Sequence, residues 1–132
     1  MRLSGKVVAI TGAGRGIGRE IALLCAAQGA AVVVNDLGAT IAGEGRDAEP
    51  AAEVVAEIRA AGGEAIANLA SVCEPGGARS VIEDAVAAFG RIDAVVNNAG
   101  FIRDGMFHKM SQKAWDDVLA VHLNGAFQVS RA

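Results

Sequence analysis

Short apolar runs alternate with amphipathic stretches along the whole chain. "KVVAIT" (residues 6–11) is β-branched and continuously apolar, the pattern of a strand buried on both faces. After a glycine cluster, Ile17, Ile21, Leu24, Cys25 and Gln28 recur at helical spacing, and Gly29 is placed to end that helix. "AAVVVND" (residues 30–36) predicts a second buried strand. Residues 37–49 are polar and contain Gly38, Gly43 and Gly45, which predicts a long loop. Pro50 suits the first position of a helix whose apolar face is Val54, Val55, Ile58 and Ala61, and Gly62-Gly63 ends it. "EAIANL" (residues 64–69) predicts a third strand. Ala78, Val81, Ile82, Ala85, Val86 and Phe89 form the next apolar face, stopped by Gly90. "RIDAVVNNAG" (residues 91–100) carries a fourth strand. Ser111 is placed to cap a last helix, with Trp115, Val118, Leu119, His122, Ala126 and Val129 on one face.

Strand and helix in strict alternation predict parallel strands joined by right-handed crossovers, with helices on both sides. Four strands in the order 3-2-1-4 form part of a doubly wound, Rossmann-type α/β sheet. Residues 1–132 are expected to be one domain. Composition agrees: apolar residues are 52% and charged residues 20%, enough to build a core. Net charge is -3 and no basic stripe is present, so nucleic acid is not an expected partner. No apolar run approaches the ~18 residues of a membrane span. "MRLSGK" has no apolar signal core behind it, so a soluble cytoplasmic protein is expected. Cys25 and Cys73 read as two buried thiols, without the number or spacing of a disulfide framework or a metal site.

The candidate chemistry begins at "TGAGRGIG" (residues 11–18), between the first strand and the first helix. A tight turn needs Gly12. A dinucleotide pyrophosphate must approach the backbone at Gly16. Gly18 lets helix and strand pack closely, and the helix N-terminus offers free N–H groups to phosphates. Asp36 follows eighteen residues beyond Gly18, at the end of the second strand. There it can accept hydrogen bonds from both adenine-ribose hydroxyls and repel a 2′-phosphate, which selects NAD over NADP. Arg15 could pair with a phosphate, so NADP is the alternative cofactor.

Thr11-Gly12-x-x-x-Gly16-x-Gly18 together with Asn97-Asn98-Ala99-Gly100 resembles the double signature of the short-chain dehydrogenase/reductases, over essentially all 132 residues. The resemblance implies that Asn97 braces the sheet and that Asn98, Ala99 and Gly100 lie along the cofactor. It also implies that Ser71 contacts the adenine through its backbone. In that family an Asp usually binds the adenine amino group where this chain has Ala70. The candidate cofactor-binding set is Gly12, Arg15, Gly16, Ile17, Gly18, Asp36, Leu37, Ser71, Asn98, Ala99 and Gly100. The family's catalytic Ser follows a fifth strand, and its Tyr-x-x-x-Lys lies beyond. This chain contains no Tyr, and after "NNAG" it offers neither element. The final "VHLNGAFQVSRA" is still at helical spacing, so the reading is a cofactor-binding half that stops before its active site and is inactive alone.

A narrower resemblance lies in "VVVNDLG", "EIRAAGGEAIAN", "FGRIDAVVNNAGFIRD" and "WDDVLAVHLNGAFQVSRA". These look like the (3R)-hydroxyacyl-CoA dehydrogenase domains of multifunctional β-oxidation enzymes. The implied activity is hydride transfer between NAD and a small-molecule hydroxyl or carbonyl substrate, by a homodimer or homotetramer. A 3-oxoacyl-carrier-protein reductase, another short-chain alcohol dehydrogenase and a non-catalytic nucleotide-binding module are the alternatives. His122 is the candidate catalytic residue. It stands where most relatives carry the Asn of a proton relay, though on an apolar helical face a His also reads as a packed core residue. Asp116 and Asp117 read as first-turn acids that suit the helix dipole. Met106, Phe107 and Met110 read as core or lid packing.

Overall fold

The computed structural model describes residues 1–40 and 43–132; Ile41 and Ala42, inside the expected loop, lie outside the described residues. Four strands form one parallel sheet: β1 (Val7–Thr11), β2 (Ala31–Asn35), β3 (Glu64–Asn68) and β4 (Ala94–Val96). Their order is β3-β2-β1-β4, as the alternation predicts. The helices are α1 (Gly16–Ala27), α2 (Glu49–Ala60), α3 (Pro75–Phe89), α4 (Gln112–Leu119) and α5 (Ala126–Arg131). A 3₁₀ turn (Phe107–Lys109) precedes α4, and a π-helical segment (Ala120–Gly125) joins α4 to α5.

β1 and β2 are buried along their whole length because both faces are covered. Their alternate residues enter two cores. Val8, Ile10, Val32 and Val34 meet Ala22 of α1 and Val54, Val55 and Ile58 of α2. Val7, Ala9, Ala31 and Val33 meet Val81 and Ala85 of α3. Burying each large aliphatic side chain contributes about 1.5–3 kcal/mol, so this double-sided packing is the main source of the fold's stability.

Several local expectations are corrected. α1 does not bury Ile17 or Leu24, which are 75% and 63% exposed. Its sheet-facing side is Gly18, Ile21, Ala22, Cys25 and Ala26, mostly small residues that let helix and sheet approach closely. α2 starts at Glu49, so Pro50 is its second residue. In the loop before it, the Asp47 N–H donates to the Leu37 carbonyl at 3.0 Å and closes the loop at its base. Phe107 and Met106 are exposed rather than packed. Both cysteines are half-buried and unpaired, and burial pushes the Cys25 thiol up.

Ser111 caps α4 as expected, its Oγ accepting the Ala114 N–H at 3.0 Å. No acid lies in the first turn of α4. Asp116 instead accepts from Gln112 Nε2 at 2.8 Å, and Asp117 pairs with Lys113 and Arg103. Those two cations lower the Asp117 carboxyl, Lys113 first. The π segment inserts a wider turn, which rotates the apolar face. Gly125 and Val129 are buried, while Trp115 and His122 are exposed.

Asp93 pins the open end of the sheet. Its Oδ2 accepts the Val7 N–H at 2.9 Å, and it pairs with Arg91 at 2.7 Å and Lys6 at 3.5 Å. The Arg91 hydrogen bond, then the Val7 N–H, hold its carboxyl down at about 2 against an ordinary 3.8. A depressed carboxylate stabilises the fold above its unfolded value, and that contribution is lost as pH falls from 3.8 toward 2. Asp93→Asn is therefore expected to lower the melting temperature at neutral pH and to match the unmutated chain near pH 2. A deficit of constant size across a pH series of melts would contradict this.

Candidate functional site

The turn from β1 to α1 is shaped by three close approaches. Gly12 has φ +64, and a Cβ there would lie 2.8 Å from Ala99 Cα. A Cβ on Gly14 would lie 2.8 Å from Asp36 Oδ2. One on Gly18 would lie 2.3 Å from the Gly12 carbonyl oxygen and 2.4 Å from Asn98 Nδ2. Gly16 differs, because nothing stands within 4 Å of its missing Cβ. α1 begins there without a side-chain cap and without an acid in its first turn. Its first N–H groups and positive dipole end are thus left for an anion.

Thr11 and Asn98 lock this turn to the segment after β4. Thr11 Oγ1 accepts the N–H groups of Asn98 at 3.1 Å and Ala99 at 3.0 Å. In return Asn98 Nδ2 donates to the carbonyls of Thr11 at 3.1 Å and Gly12 at 3.0 Å. Asn97 reaches away from the strands and donates to Ser130 Oγ of α5 at 3.0 Å. Asp36 holds two loops at once, accepting the Gly14 N–H at 2.7 Å and the Gly38 N–H at 2.6 Å. Arg15 reaches the Ala39 carbonyl at 3.4 Å.

These pieces surround one cavity of about 840 Å³ at the carboxyl ends of the strands. Gly12, Arg15, Gly16, Ile17, Asp36, Leu37, Ser71, Asn98, Ala99 and Gly100 all line it. The location is the point where the sheet's order reverses from β1 to β4, where open α/β sheets bind ligands. Gly18 does not line the cavity; it packs behind the turn. His122 lies outside it too, beside a smaller cavity of about 100 Å³ with Thr11, Asn97 and Asn98. Its Nε2 is 3.2 Å from the Phe101 nitrogen and 2.9 Å from the Phe101 oxygen, and its ring rests on Gly100, whose Cβ would be 2.4 Å from Cε1. His122 is thus neither a buried core residue nor a member of the main cavity, but a brace on the backbone that forms the cavity wall. Residues that the motifs pass over also line the cavity, including Asn35, Phe101, Arg103 and the Lys113–Asp117 pair.

A glycine turn feeding an uncapped helix, an acid ending the next strand and a cavity at the sheet's switch point define a dinucleotide-binding α/β domain. The model of the short chain dehydrogenase family matches residues 6–132, and the chain belongs to that family, whose members use a nicotinamide cofactor. It is 54% identical over 127 residues to a short-chain type dehydrogenase/reductase of Mycobacterium tuberculosis, covering 96% of this chain and 44% of that protein. It is 51% identical over 132 residues to the peroxisomal multifunctional enzyme type 2 of Mus musculus, covering 100% of this chain and 18% of that protein. The crystal structure of a short chain dehydrogenase from Mycobacterium avium matches with a TM-score of 0.91 at 47% identity, over 99% of this chain and 45% of that one. The chain therefore spans less than half the length of each of these proteins.

Proposed function

We propose that this chain is the NAD-binding part of a dehydrogenase that oxidises a (3R)-3-hydroxyacyl thioester of coenzyme A. The observation that carries the cofactor reading is Asp36, whose carboxylate closes the cavity beside Gly14 and Gly38. A carboxylate has about four acceptor sites. Two bonds to backbone N–H groups leave acceptor sites for ribose hydroxyls, while the negative charge repels a 2′-phosphate. The α1 N-terminus and Gly16 bind the pyrophosphate. Asn98 to Gly100 support the nicotinamide half, and His122 keeps their backbone in place. The bound dinucleotide supplies the hydride acceptor. The chain's 132 residues contain no tyrosine, so the proton transfer that the resemblance assigns to a Tyr is not supplied by them. We expect these residues alone to bind NAD with no dehydrogenase turnover; NAD reduction by the 132-residue chain would refute the mechanism.

The acyl-CoA substrate is supported by the resemblance of the quoted stretches to hydroxyacyl-CoA dehydrogenase domains and by 42% identity over 132 residues to a hydroxyacyl-CoA dehydrogenase of Mycobacterium tuberculosis. The full-length enzyme is expected to turn over (3R)-hydroxybutyryl-CoA with NAD. Activity on the (3S) form only, or on neither while a sugar or steroid alcohol reacts well, would defeat this substrate. Two unpaired cysteines support a cytoplasmic location, and exposed Trp115, Leu123 and Phe127 support a homo-oligomer.

A further inference from the structure

Asn35, the last residue of β2, is 2% exposed and lines the cavity. Its amide nitrogen is fully employed, donating to Asn68 Oδ1 at 2.9 Å and to the Ala70 carbonyl at 3.0 Å. Its amide oxygen has no hydrogen-bond partner among the described residues. Yet no sealed side-chain oxygen or nitrogen there is left without one, so this oxygen is open. A buried amide with both donors held by protein and its acceptor free beside a cavity is built to receive a donor from a ligand.

The direction of that amide is set from α3. Asn68 Nδ2 donates to Asp84 Oδ2 at 2.7 Å and to Ser80 Oγ at 3.1 Å. A carboxylate only accepts, so Asp84 draws the Asn68 nitrogen toward α3. The Asn68 oxygen must then face the other way, where it accepts the Ala70 N–H at 3.1 Å and the Asn35 amide. Asn35 consequently presents nitrogen to β3 and oxygen to the cavity. The neighbouring acceptors at Ala70 and Ser71 each already carry a hydrogen bond. Both peptide groups of Ala70 are already bonded. Ser71 Oγ accepts the Cys73 N–H at 3.3 Å, and the Ser71 carbonyl accepts the Glu74 N–H at 3.3 Å.

We propose that Asn35 Oδ1 accepts a hydrogen bond from the exocyclic amine of the bound dinucleotide's adenine, and that Asn68, Ser80 and Asp84 are positioning residues that hold Asn35 in its acceptor orientation. The inference rests on the dinucleotide reading above. With the ribose at Asp36, the base beyond it lies against the wall formed by Asn35 and the segment from Ala70 to Cys73. The chain thereby reads the 6-position of the purine with a strand residue, and Ala70 needs no polar side chain.

The test is calorimetric titration of the unmutated protein with NAD and with its hypoxanthine counterpart, in which a keto oxygen replaces the amine. Acceptor would then face acceptor, and NAD is expected to bind about tenfold tighter or more. Asn35→Ala should bring the two dinucleotides to within about threefold of each other, and Asp84→Asn, which frees the Asn68 amide to invert, should narrow the gap from outside the cavity. Equal binding of both by the unmutated protein overturns this proposal and leaves the dinucleotide reading standing. Binding of neither overturns both. Variants that weaken both ligands in the same proportion reduce Asn35 to a structural role and overturn it as well. The comparison on the unmutated protein decides the matter even where Asn35→Ala fails to fold.

Discussion

Gly18→Ala is expected to destabilise the chain and to abolish measurable NAD binding. In a helix interior, glycine to alanine ordinarily gains about 0.5–1 kcal/mol. Here the new methyl would lie 2.3 Å from the Gly12 carbonyl oxygen and 2.4 Å from Asn98 Nδ2. The first of these is backbone, and the second belongs to a side chain already committed to the Thr11 and Gly12 carbonyls. Neither can retreat without opening the lock between the glycine turn and the segment after β4. Overpacking of this kind costs about 1–3 kcal/mol, occasionally more, and outweighs the helix gain. The melting temperature should fall by roughly 5–10 °C. Unchanged melting and unchanged NAD affinity would show that α1 can move outward freely.

Asp36→Ala is expected to weaken NAD by roughly ten- to a hundredfold while leaving NADP much less affected, so that discrimination between the two nearly vanishes. Two effects combine. The ribose loses its acceptor, and the charged hydrogen bonds to Gly14 and Gly38, each about 1.5–3 kcal/mol at best, are lost as well. Asp36→Asn separates them, because it keeps one backbone bond and removes the charge that repels a 2′-phosphate. It should therefore restore part of the NAD affinity but not the selectivity. Retained preference for NAD in both variants would place discrimination elsewhere in the cavity wall.

Features with a strong local physical cause are legible in the amino-acid pattern. Central strands such as "VVAIT" and "AVVVN" must be apolar throughout because both faces are covered. The turn from Gly12 to Gly18 must be glycine-rich because neighbouring atoms crowd Gly12, Gly14 and Gly18. Helix faces were less legible, since size misleads. α1 turns Gly18, Ala22 and Cys25 to the sheet and leaves Ile17 at the cavity. The π segment after α4 has no periodic signature, and it is what carries His122 off the buried face. The Asn35–Asn68 pair was invisible for another reason. The two residues are neighbours only through the β2–β3 register, which places Asn35 opposite Asn68. The same register sets Thr11 opposite Asn35, so three polar residues end three adjacent strands, and Asn35 among them lines the cavity.

The cavity between Gly12, Asp36 and Asn98 is proposed to hold NAD. Isothermal titration of the chain with NAD and with NADP tests it most directly. One NAD per chain is expected, with NADP at least tenfold weaker because the Asp36 carboxylate would repel a 2′-phosphate. NADP binding as tightly as NAD, or no binding of either dinucleotide by a folded chain, would contradict it.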